Sequence, residues 1–278
     1  MKSTSRFTLP HLYMGGQGQA LHFAAANGYP PGAYRAFLEP FTQSYEVVAS
    51  LHRPMWDSPG PLASFDSWDV LGTDLAQLVG EMNHPVHSVG HSMGTAAILM
   101  AAIRQPELFR SLVLIEPVLV PRRYLLALKM FGRLAPHRIP LVERTLNRVD
   151  RFASQREAFE HYRPKPVFAA IEDAVLWDYV QHGTREIEPG VYALSYPKEW
   201  EARCYTLVHN LWRLLPSLRV PTLAIRAKDS KTLSTASWDR WQAIATGVDF
   251  IEVEESGHLL PFEKPDQLAD TVLGWLQR

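Results

Sequence analysis

A serine between two glycines is the first feature of this chain that could do chemistry. Gly90-His91-Ser92-Met93-Gly94 follows the short apolar run 86–89 and precedes the small-residue segment 95–104. A G-x-S-x-G pattern between a strand and a helix is typical of a sharp turn that presents a serine nucleophile. The glycines allow strand and helix to approach closely, and the helix N-terminus offers free N–H groups to a developing oxyanion. An ordinary glycine–serine turn is the alternative, and the strand–turn–helix setting favours the nucleophile Ser92.

A serine hydroxyl is a weak nucleophile until a base takes its proton, so the chain must supply a histidine. Of the eleven histidines, His258 has the most suitable setting, because it lies in a loop between the last predicted strand and the final helix. Such a loop falls at the carboxyl edge of a parallel sheet, the same edge as Ser92. We therefore predict His258 as the general base, the alternative being an exposed loop histidine.

Two carboxylates could orient this histidine, because each follows a predicted strand. Asp229 comes after the apolar segment 220–228, and Glu116 comes after the strand that ends at Ile115. The chain order serine, acid, histidine favours Asp229. We predict Asp229 as the acid and keep Glu116 as its rival, with a role in anchoring the following segment.

An acyl-transfer site also needs two convergent backbone donors for the oxyanion. The amide of Met93, directly after Ser92, is the first. The second is expected in the loop after an early strand, Asn27-Gly28-Tyr29-Pro30-Pro31, in which the prolines have no N–H to offer. Gly28 and Tyr29 remain, and we choose Tyr29; a simple strand–helix turn is the alternative.

These residues require a scaffold, and the rest of the chain predicts one of the α/β class. Short Val-, Leu- and Ile-rich runs alternate with segments of helical periodicity, which is typical of a mostly parallel sheet with helices on both faces. The predicted strands are 20–25, 45–50, 86–89, 112–115, 221–225 and 250–253, and the predicted helices are 33–41, 68–82, 95–104, 238–245 and 265–276. With 278 residues, we expect one globular unit.

The alternation stops between residues 118 and 204, where helix-like segments are broken by prolines. Ser154 and Glu157 have the spacing of a capping box at a helix start. The segment is rich in large apolar residues, and we consider Phe131, Phe168 and Trp177, together with His91 of the turn, as substrate contacts. For any single aromatic residue, packing within the protein is the alternative.

The first half of this segment is basic. Eight arginines and lysines but only two acidic residues lie between Arg122 and Arg151. A solvated helix face is the ordinary explanation of such a run. The sharper hypothesis is weak contact with anionic lipid through an amphipathic edge at 124–131.

Composition excludes several classes of protein. A net charge of -1 gives no overall attraction to nucleic acid, and we expect no nucleic-acid partner. The single cysteine, Cys204, permits neither an intrachain disulfide nor a CxxC metal or redox pair, which indicates a reducing, cytoplasmic location. We predict no metal site, because the chemistry of serine, histidine and acid is complete without one. The N-terminal residues lack the apolar core of a signal peptide, and no run has membrane-spanning length. Oligomeric state has no signal in the sequence.

Taken together, the turn around Ser92, the strand end at Asp229, the Gly257-His258 loop and the Asn27-Gly28-Tyr29 turn resemble the α/β-hydrolase superfamily. Within it the chain is similar to small bacterial esterases and lipase-like hydrolases with a helical cap. The resemblance implies an α/β-hydrolase core at 1–117 and 205–278, and a cap, or lid, at 118–204. One departure is Asn27, where many relatives have histidine before the glycine.

The resemblance implies a Ser-His-Asp triad that cleaves small carboxylic esters through an acyl-enzyme, without a cofactor. A hydrophobic acyl or aryl substrate fits the apolar cap segment. The alternatives within the fold are a thioesterase, a carbon–carbon bond hydrolase, a perhydrolase and a ligand receptor with slow turnover.

Overall fold

Ten strands form two sheets in the computed structural model, which describes residues 6–83, 85–131 and 138–278. The strands are β1 (His11–Gly15), β2 (Gln19–Ala24), β3 (Tyr45–Ser50), β4 (Val86–His91), β5 (Phe109–Ile115), β6 (Arg151–Phe152), β7 (Thr184–Glu188), β8 (Val191–Leu194), β9 (Thr222–Ala227) and β10 (Val248–Val253). The main sheet has seven of them in the order β1-β3-β2-β4-β5-β9-β10. All of its pairs are parallel except the edge pair β1–β3.

The described residues also form eleven α-helices, six of which cover the two faces of this sheet. They are α1 (Arg35–Leu38), α2 (Asp69–Glu81), α3 (Met93–Arg104), α4 (Arg122–Phe131), α5 (Pro140–Leu146), α6 (Gln155–Tyr162), α7 (Asp173–Gly183), α8 (Lys198–Thr206), α9 (Thr235–Ile244), α10 (Leu260–Glu263) and α11 (Pro265–Leu276). Buried residues of α2, α3 and α9 pack on one face, and those of α1, α10 and α11 pack on the other. The fold is therefore the predicted α/β-hydrolase fold.

Strand β5 shows why the central strands read as continuous apolar runs. Leu112 and Leu114 belong to the apolar cluster on one face, whereas Val113 and Ile115 belong to the cluster on the other. Because successive side chains of a strand point to opposite faces, a strand covered on both sides must be apolar throughout. The alternating strand and helix predictions of the sequence follow from this requirement.

Outside the inserted region the structure differs from the sequence prediction in one helix and in one strand that was not predicted. The helix predicted at 33–41 is only the four-residue α1 between 3-10 turns at Pro31–Tyr34 and Glu39–Gln43. Pro40 contributes to this break, because it has no N–H for a helical hydrogen bond. The edge strand β1 was not predicted, since its five residues, His-Leu-Tyr-Met-Gly, show neither an apolar run nor clear alternation.

The insertion, which we define as the segment 117–221 between Glu116 and β9, contains α4 to α8 and a small sheet. Its three antiparallel strands have the order β6-β8-β7. The predicted capping box is confirmed, because the Glu157 amide donates to Ser154 Oγ at 3.1 Å. The small sheet was not predicted, although Gly190 turns with a φ of +74° between β7 and β8, as glycine readily does. The division of the chain at residues 117 and 204 remains a prediction.

Within the described ranges, no helix combines the length and the apolar character that crossing a lipid bilayer requires.

Candidate active site

Ser92 occupies the sharp turn between β4 and α3. Its φ of 53° is unusual for a residue with a side chain, and its N–H donates to the Ile115 carbonyl at 3.0 Å. The predicted role of the glycines is visible in the packing. A Cβ on Gly94 would lie 2.1 Å from the Ala24 oxygen, and one on Gly90 would lie 2.6 Å from Ile98 Cδ1. The two glycines therefore permit the tight turn that projects the serine.

The two ring nitrogens of His258 contact a serine hydroxyl on one side and a carboxylate on the other. Its Nε2 lies 3.0 Å from Ser92 Oγ, and its Nδ1 lies 2.9 Å from Glu116 Oε2. The side chain of His258 is 26% exposed, whereas that of Glu116 is fully buried. With the carboxylate holding an Nδ1–H, Nε2 is the nitrogen left to accept a proton from the serine.

Glu116 is held rigidly at the end of β5. Its backbone has a φ of 52°, and its N–H donates to the Ile225 carbonyl at 2.8 Å. Oε1 accepts the Ala227 N–H at 2.7 Å, and Oε2 accepts the Ser230 hydroxyl in addition to the His258 ring. These bonds satisfy a carboxylate that is out of contact with water, as a buried charge requires.

Asp229 does not contact His258, which corrects the sequence prediction of the acid. Its side chain is exposed, and its backbone N–H donates to the Ser256 carbonyl at 3.0 Å, at the base of the His258 loop. The physical reason is that β5 and β9 are adjacent in the sheet, so both strand ends lie near the histidine. Both carboxylates satisfy the chain order serine, acid, histidine, so this order cannot decide between Glu116 and Asp229. The signal for Glu116 was its position immediately after the strand beside β4.

His91 lies behind His258 and is fully buried. Its Nε2 bonds to the His258 carbonyl at 2.8 Å, and its Nδ1 bonds to Tyr34 Oη at 2.8 Å. Burial and then the nearby His258 hold the pKa of His91 well below its ordinary value, so the ring is neutral. Both nitrogens are occupied, which contradicts the prediction that His91 contacts substrate.

Tyr34 extends this chain of hydrogen bonds to the loop after β2. The Ala26 N–H donates to Tyr34 Oη at 3.1 Å, so the hydroxyl hydrogen is available for His91 Nδ1. His91 Nε2–H can then donate to the His258 carbonyl. The sequence analysis missed Tyr34, because nothing in its local pattern distinguishes it from a packed core tyrosine.

The two predicted oxyanion donors differ in the structure. Met93 is the first residue of α3, where an N–H has no acceptor one turn earlier in the helix. The Tyr29 N–H instead donates to the Ala26 carbonyl at 3.2 Å and closes a turn. The prediction of Tyr29 is therefore not supported, and Gly28 remains as the other amide of this loop that the sequence allowed.

The aromatic residues predicted to contact substrate have different settings. Phe168 is buried against the rings of Tyr162 and Tyr179. Trp177 stacks on Phe159 at a centroid distance of 4.4 Å, within the insertion. Phe131 ends α4, and its side chain lies outside the described part of the structure. The positions of Phe168 and Trp177 agree with the packing alternative.

Comparison with known proteins decides the family. The model of the alpha/beta hydrolase family matches residues 16–271, which is nearly the whole chain. The chain belongs to the alpha/beta hydrolase family. This hydrolase is 22% identical over 230 residues to the abhydrolase domain-containing protein ACTT2 of Alternaria alternata, a match that covers 71% of this chain and 85% of that protein.

Solved structures of other hydrolases superpose closely on this one. E-2-(acetamidomethylene)succinate hydrolase gives a TM-score of 0.78 at 17% identity, covering 95% of this chain and 93% of that one. The thioesterase domain from the curacin biosynthetic pathway gives 0.73 at 18% identity, covering 93% of each chain. At these identities the likeness establishes the shared fold, and the substrate must be argued from this hydrolase's own residues.

Proposed function

We propose that this alpha/beta hydrolase cleaves carboxylic esters through a triad of Ser92, His258 and Glu116. One observation carries the proposal: His258 lies 3.0 Å from Ser92 Oγ through one nitrogen and 2.9 Å from Glu116 Oε2 through the other. These are hydrogen-bonding distances, and in space the histidine lies between the serine and the carboxylate, as acyl transfer by serine requires.

In the proposed reaction, His258 Nε2 takes the Ser92 proton as the hydroxyl oxygen attacks the ester carbonyl carbon. Glu116 stabilises the imidazolium that forms and holds the ring in the tautomer with hydrogen on Nδ1. The imidazolium then gives its proton to the leaving alcohol, and an acyl group remains on Ser92. Water, activated by the same ring, attacks this acyl-enzyme and releases the acid.

The oxyanion of each tetrahedral intermediate lies at the N-terminus of α3 in this proposal. The Met93 N–H is one donor, supported by the positive end of the helix dipole. Gly28 supplies the second from the loop after β2. The insertion acts as the cap of the site, because its Glu201 packs directly against Gly28.

The test is turnover of a panel of p-nitrophenyl esters with acyl chains of two to twelve carbons. Ser92→Ala should lower kcat by about a thousandfold or more, because it removes the nucleophile without disturbing packing. A fluorophosphonate should label the wild type at Ser92. The matched control is Ser58→Ala, an exposed serine whose loss should change neither readout.

Two results would contradict the proposal. Unchanged activity of Ser92→Ala would exclude this serine as the nucleophile. Turnover far below ordinary enzyme rates at every acyl length, with tight binding of a ligand, would favour the slow receptor instead.

A further inference from the structure

A buried polar cluster of the insertion lies directly against the loop that borders the nucleophile turn. A Cβ on Gly28 would lie 2.8 Å from Glu201 Cδ, and Asn27 Nδ2 donates to the Glu201 carbonyl at 3.0 Å. The next residue, Tyr29, packs its ring on Tyr179 at 5.3 Å. The same loop follows Ala24, the residue against which Gly94 packs, so it connects the cluster to the Ser92 turn.

Arg148 and Glu201 form the ion pair at the centre of this cluster. Nη1 of Arg148 lies 2.6 Å from Oε2 and Nη2 lies 3.3 Å from Oε1, while the Tyr205 hydroxyl also donates to Oε1 at 3.3 Å. Glu201 is almost fully buried, but Arg148 keeps 27% of its side chain exposed. A guanidinium carries five N–H groups, so Arg148 retains donors beyond those directed at Glu201.

Tyr162 adds a donor that the protein itself does not use. Its side chain is 4% exposed, and Oη makes no hydrogen bond to any residue of the described ranges. Burial and then the neighbouring Tyr179 raise the pKa of Tyr162, and the charge of Arg148 opposes that rise. A hydroxyl buried without a partner is costly, so a ligand that accepts its hydrogen bond gains affinity.

Lys165 leaves this cluster with an excess of positive charge. Nζ lies 4.7 Å from the centre of the Tyr162 ring and 2.6 Å from Nε2 of His161. Burial and then Lys165 lower the pKa of His161, so this neighbour is neutral at pH 7. No carboxylate among the described residues forms an ion pair with Lys165. Burial and then the charge of Arg148 lower the pKa of Lys165, and of these two cations only Arg148 pairs with a carboxylate of the described residues, that of Glu201.

We propose that Arg148, Tyr162 and Lys165 recognise a carboxylate on the substrate, at the end opposite the ester that Ser92 attacks. This inference rests on the proposed ester hydrolysis and names its substrate class: monoesters of dicarboxylic acids. A carboxylate would accept hydrogen bonds from the free guanidinium N–H groups and from Tyr162 Oη, and it would balance the charge of Lys165. A purely apolar acyl chain would leave Tyr162 Oη without a partner and would not balance the charge of Lys165.

The experiment compares mono-p-nitrophenyl esters of dicarboxylic acids of four to eight carbons with their methyl diesters, which have the same length but no charge. The wild type should prefer the anionic ester of the best length by at least tenfold in kcat/KM. Tyr162→Phe and Lys165→Gln should each reduce that preference by about tenfold through KM, since a hydrogen bond to a charged group contributes about this much. The kcat/KM of both variants for the methyl diester should equal that of the wild type.

Two surface substitutions serve as matched controls. Tyr13→Phe and Lys231→Gln make the same chemical changes at exposed positions and should leave the preference intact. Equal or faster turnover of the methyl diester at every length would overturn the inference. So would a loss in Tyr162→Phe that is the same for both esters.

A binding measurement separates this inference from the proposed function. In Ser92→Ala, which cannot turn over ester by the proposed route, glutarate should raise the Tm saturably, whereas dimethyl glutarate at equal ionic strength should not. The double variant Ser92→Ala/Tyr162→Phe should lose most of this rise. Absence of a rise overturns the carboxylate site even if Ser92 hydrolyses neutral esters, and a rise supports it even if the ester panel fails.

Discussion

The carboxyl edge of the main sheet and the insertion hold their polar side chains in different ways. At the sheet edge, main-chain hydrogen bonds position the polar residues. The N–H groups of Ser92 and Glu116 bond to carbonyls of neighbouring strands, and the Glu116 carboxylate accepts a hydrogen bond from the Ala227 N–H. In the insertion, side chains hold one another, as in the Arg148–Glu201 pair.

Neutral histidines are a further feature of the sheet region. The histidines buried around the main sheet are neutral, because burial lowers the pKa of each of them; they are His22, His52, His87 and His91. Both regions contain an ion pair with a buried member, Arg226–Glu252 between β9 and β10 and Arg148–Glu201 in the insertion. Main-chain anchoring fixes the distances on which chemistry depends, whereas a side-chain network can present charge to a ligand and can change with fewer consequences for the fold. Substitutions at the sheet edge should therefore reduce kcat, and those in the insertion should alter stability and selectivity.

The largest effect is expected at Glu116. Glu116→Gln should lower kcat by about a thousandfold or more, because an amide facing His258 Nδ1 favours the wrong tautomer. The measurement is ester turnover at saturating substrate, with circular dichroism to verify folding. Asp229→Asn makes the same change at an exposed side chain and should lower kcat less than about twofold. A larger loss of kcat in Asp229→Asn than in Glu116→Gln would instead indicate Asp229 as the acid.

The next effect is on stability, in the insertion. Arg148→Met should lower the free energy of unfolding by about 3 kcal/mol at pH 8, because it leaves the Glu201 carboxylate buried without its partner. Urea unfolding measures the loss. The double variant Arg148→Met/Glu201→Met should recover most of it, since no charge is then buried. If the double variant is as unstable as the single one, the pair acts through packing instead.

The pH dependence of this loss has a definite sign. Burial raises the pKa of Glu201, and the charge of Arg148 opposes the rise. Without Arg148, a folded-state pKa raised further above the unfolded value means that stability is present at low pH and lost as pH rises through the folded pKa. The difference in unfolding free energy between Arg148→Met and the wild type should therefore grow from pH 5 to pH 8. A constant difference would contradict this.

A fall in pH should lower the free energy of unfolding, because the buried histidines of the main sheet stay neutral in the folded protein. Burial lowers the pKa of His22 to about 3 from the model-compound value of 6.5. As pH falls below 6.5, His22 becomes protonated in the unfolded chain but stays neutral in the folded protein. This site therefore lowers the free energy of unfolding by about 2 kcal/mol by pH 5. Urea unfolding between pH 7.5 and 5 should show a shallower loss in His22→Gln. Identical slopes for variant and wild type would exclude His22 as a source.

The smallest effect is expected from the hydrogen-bond chain behind His258. Tyr34→Phe leaves the Ala26 N–H and His91 Nδ1 without their shared partner, so unfolding should become easier by about 1 kcal/mol. A looser His258 loop should lower kcat by about threefold to tenfold with little change in KM. Tyr13→Phe, at an exposed tyrosine, is the control. A change confined to KM would place Tyr34 in substrate binding instead.

Features that depend on consecutive residues could be predicted from the sequence. The sharp turn around Ser92 is one of them, because Gly90, Ser92 and Gly94 are close in the chain and the strand and helix that position them are contiguous with it. The parallel order of strands and helices follows from runs of apolar residues that must be covered on both faces. His258 was found for the same reason, since its loop directly joins the last strand to the final helix.

The carboxylate that contacts His258 and the charged cluster of the insertion became visible only in the tertiary structure. Glu116 and Asp229 both end strands, and only the adjacency of β5 and β9 shows which carboxylate reaches the imidazole. Arg148 is one cation in a basic run, and 53 residues separate it from Glu201. Local sequence determines which backbone turn a segment can adopt, whereas the distance between side chains from separate segments is set by how the whole chain packs.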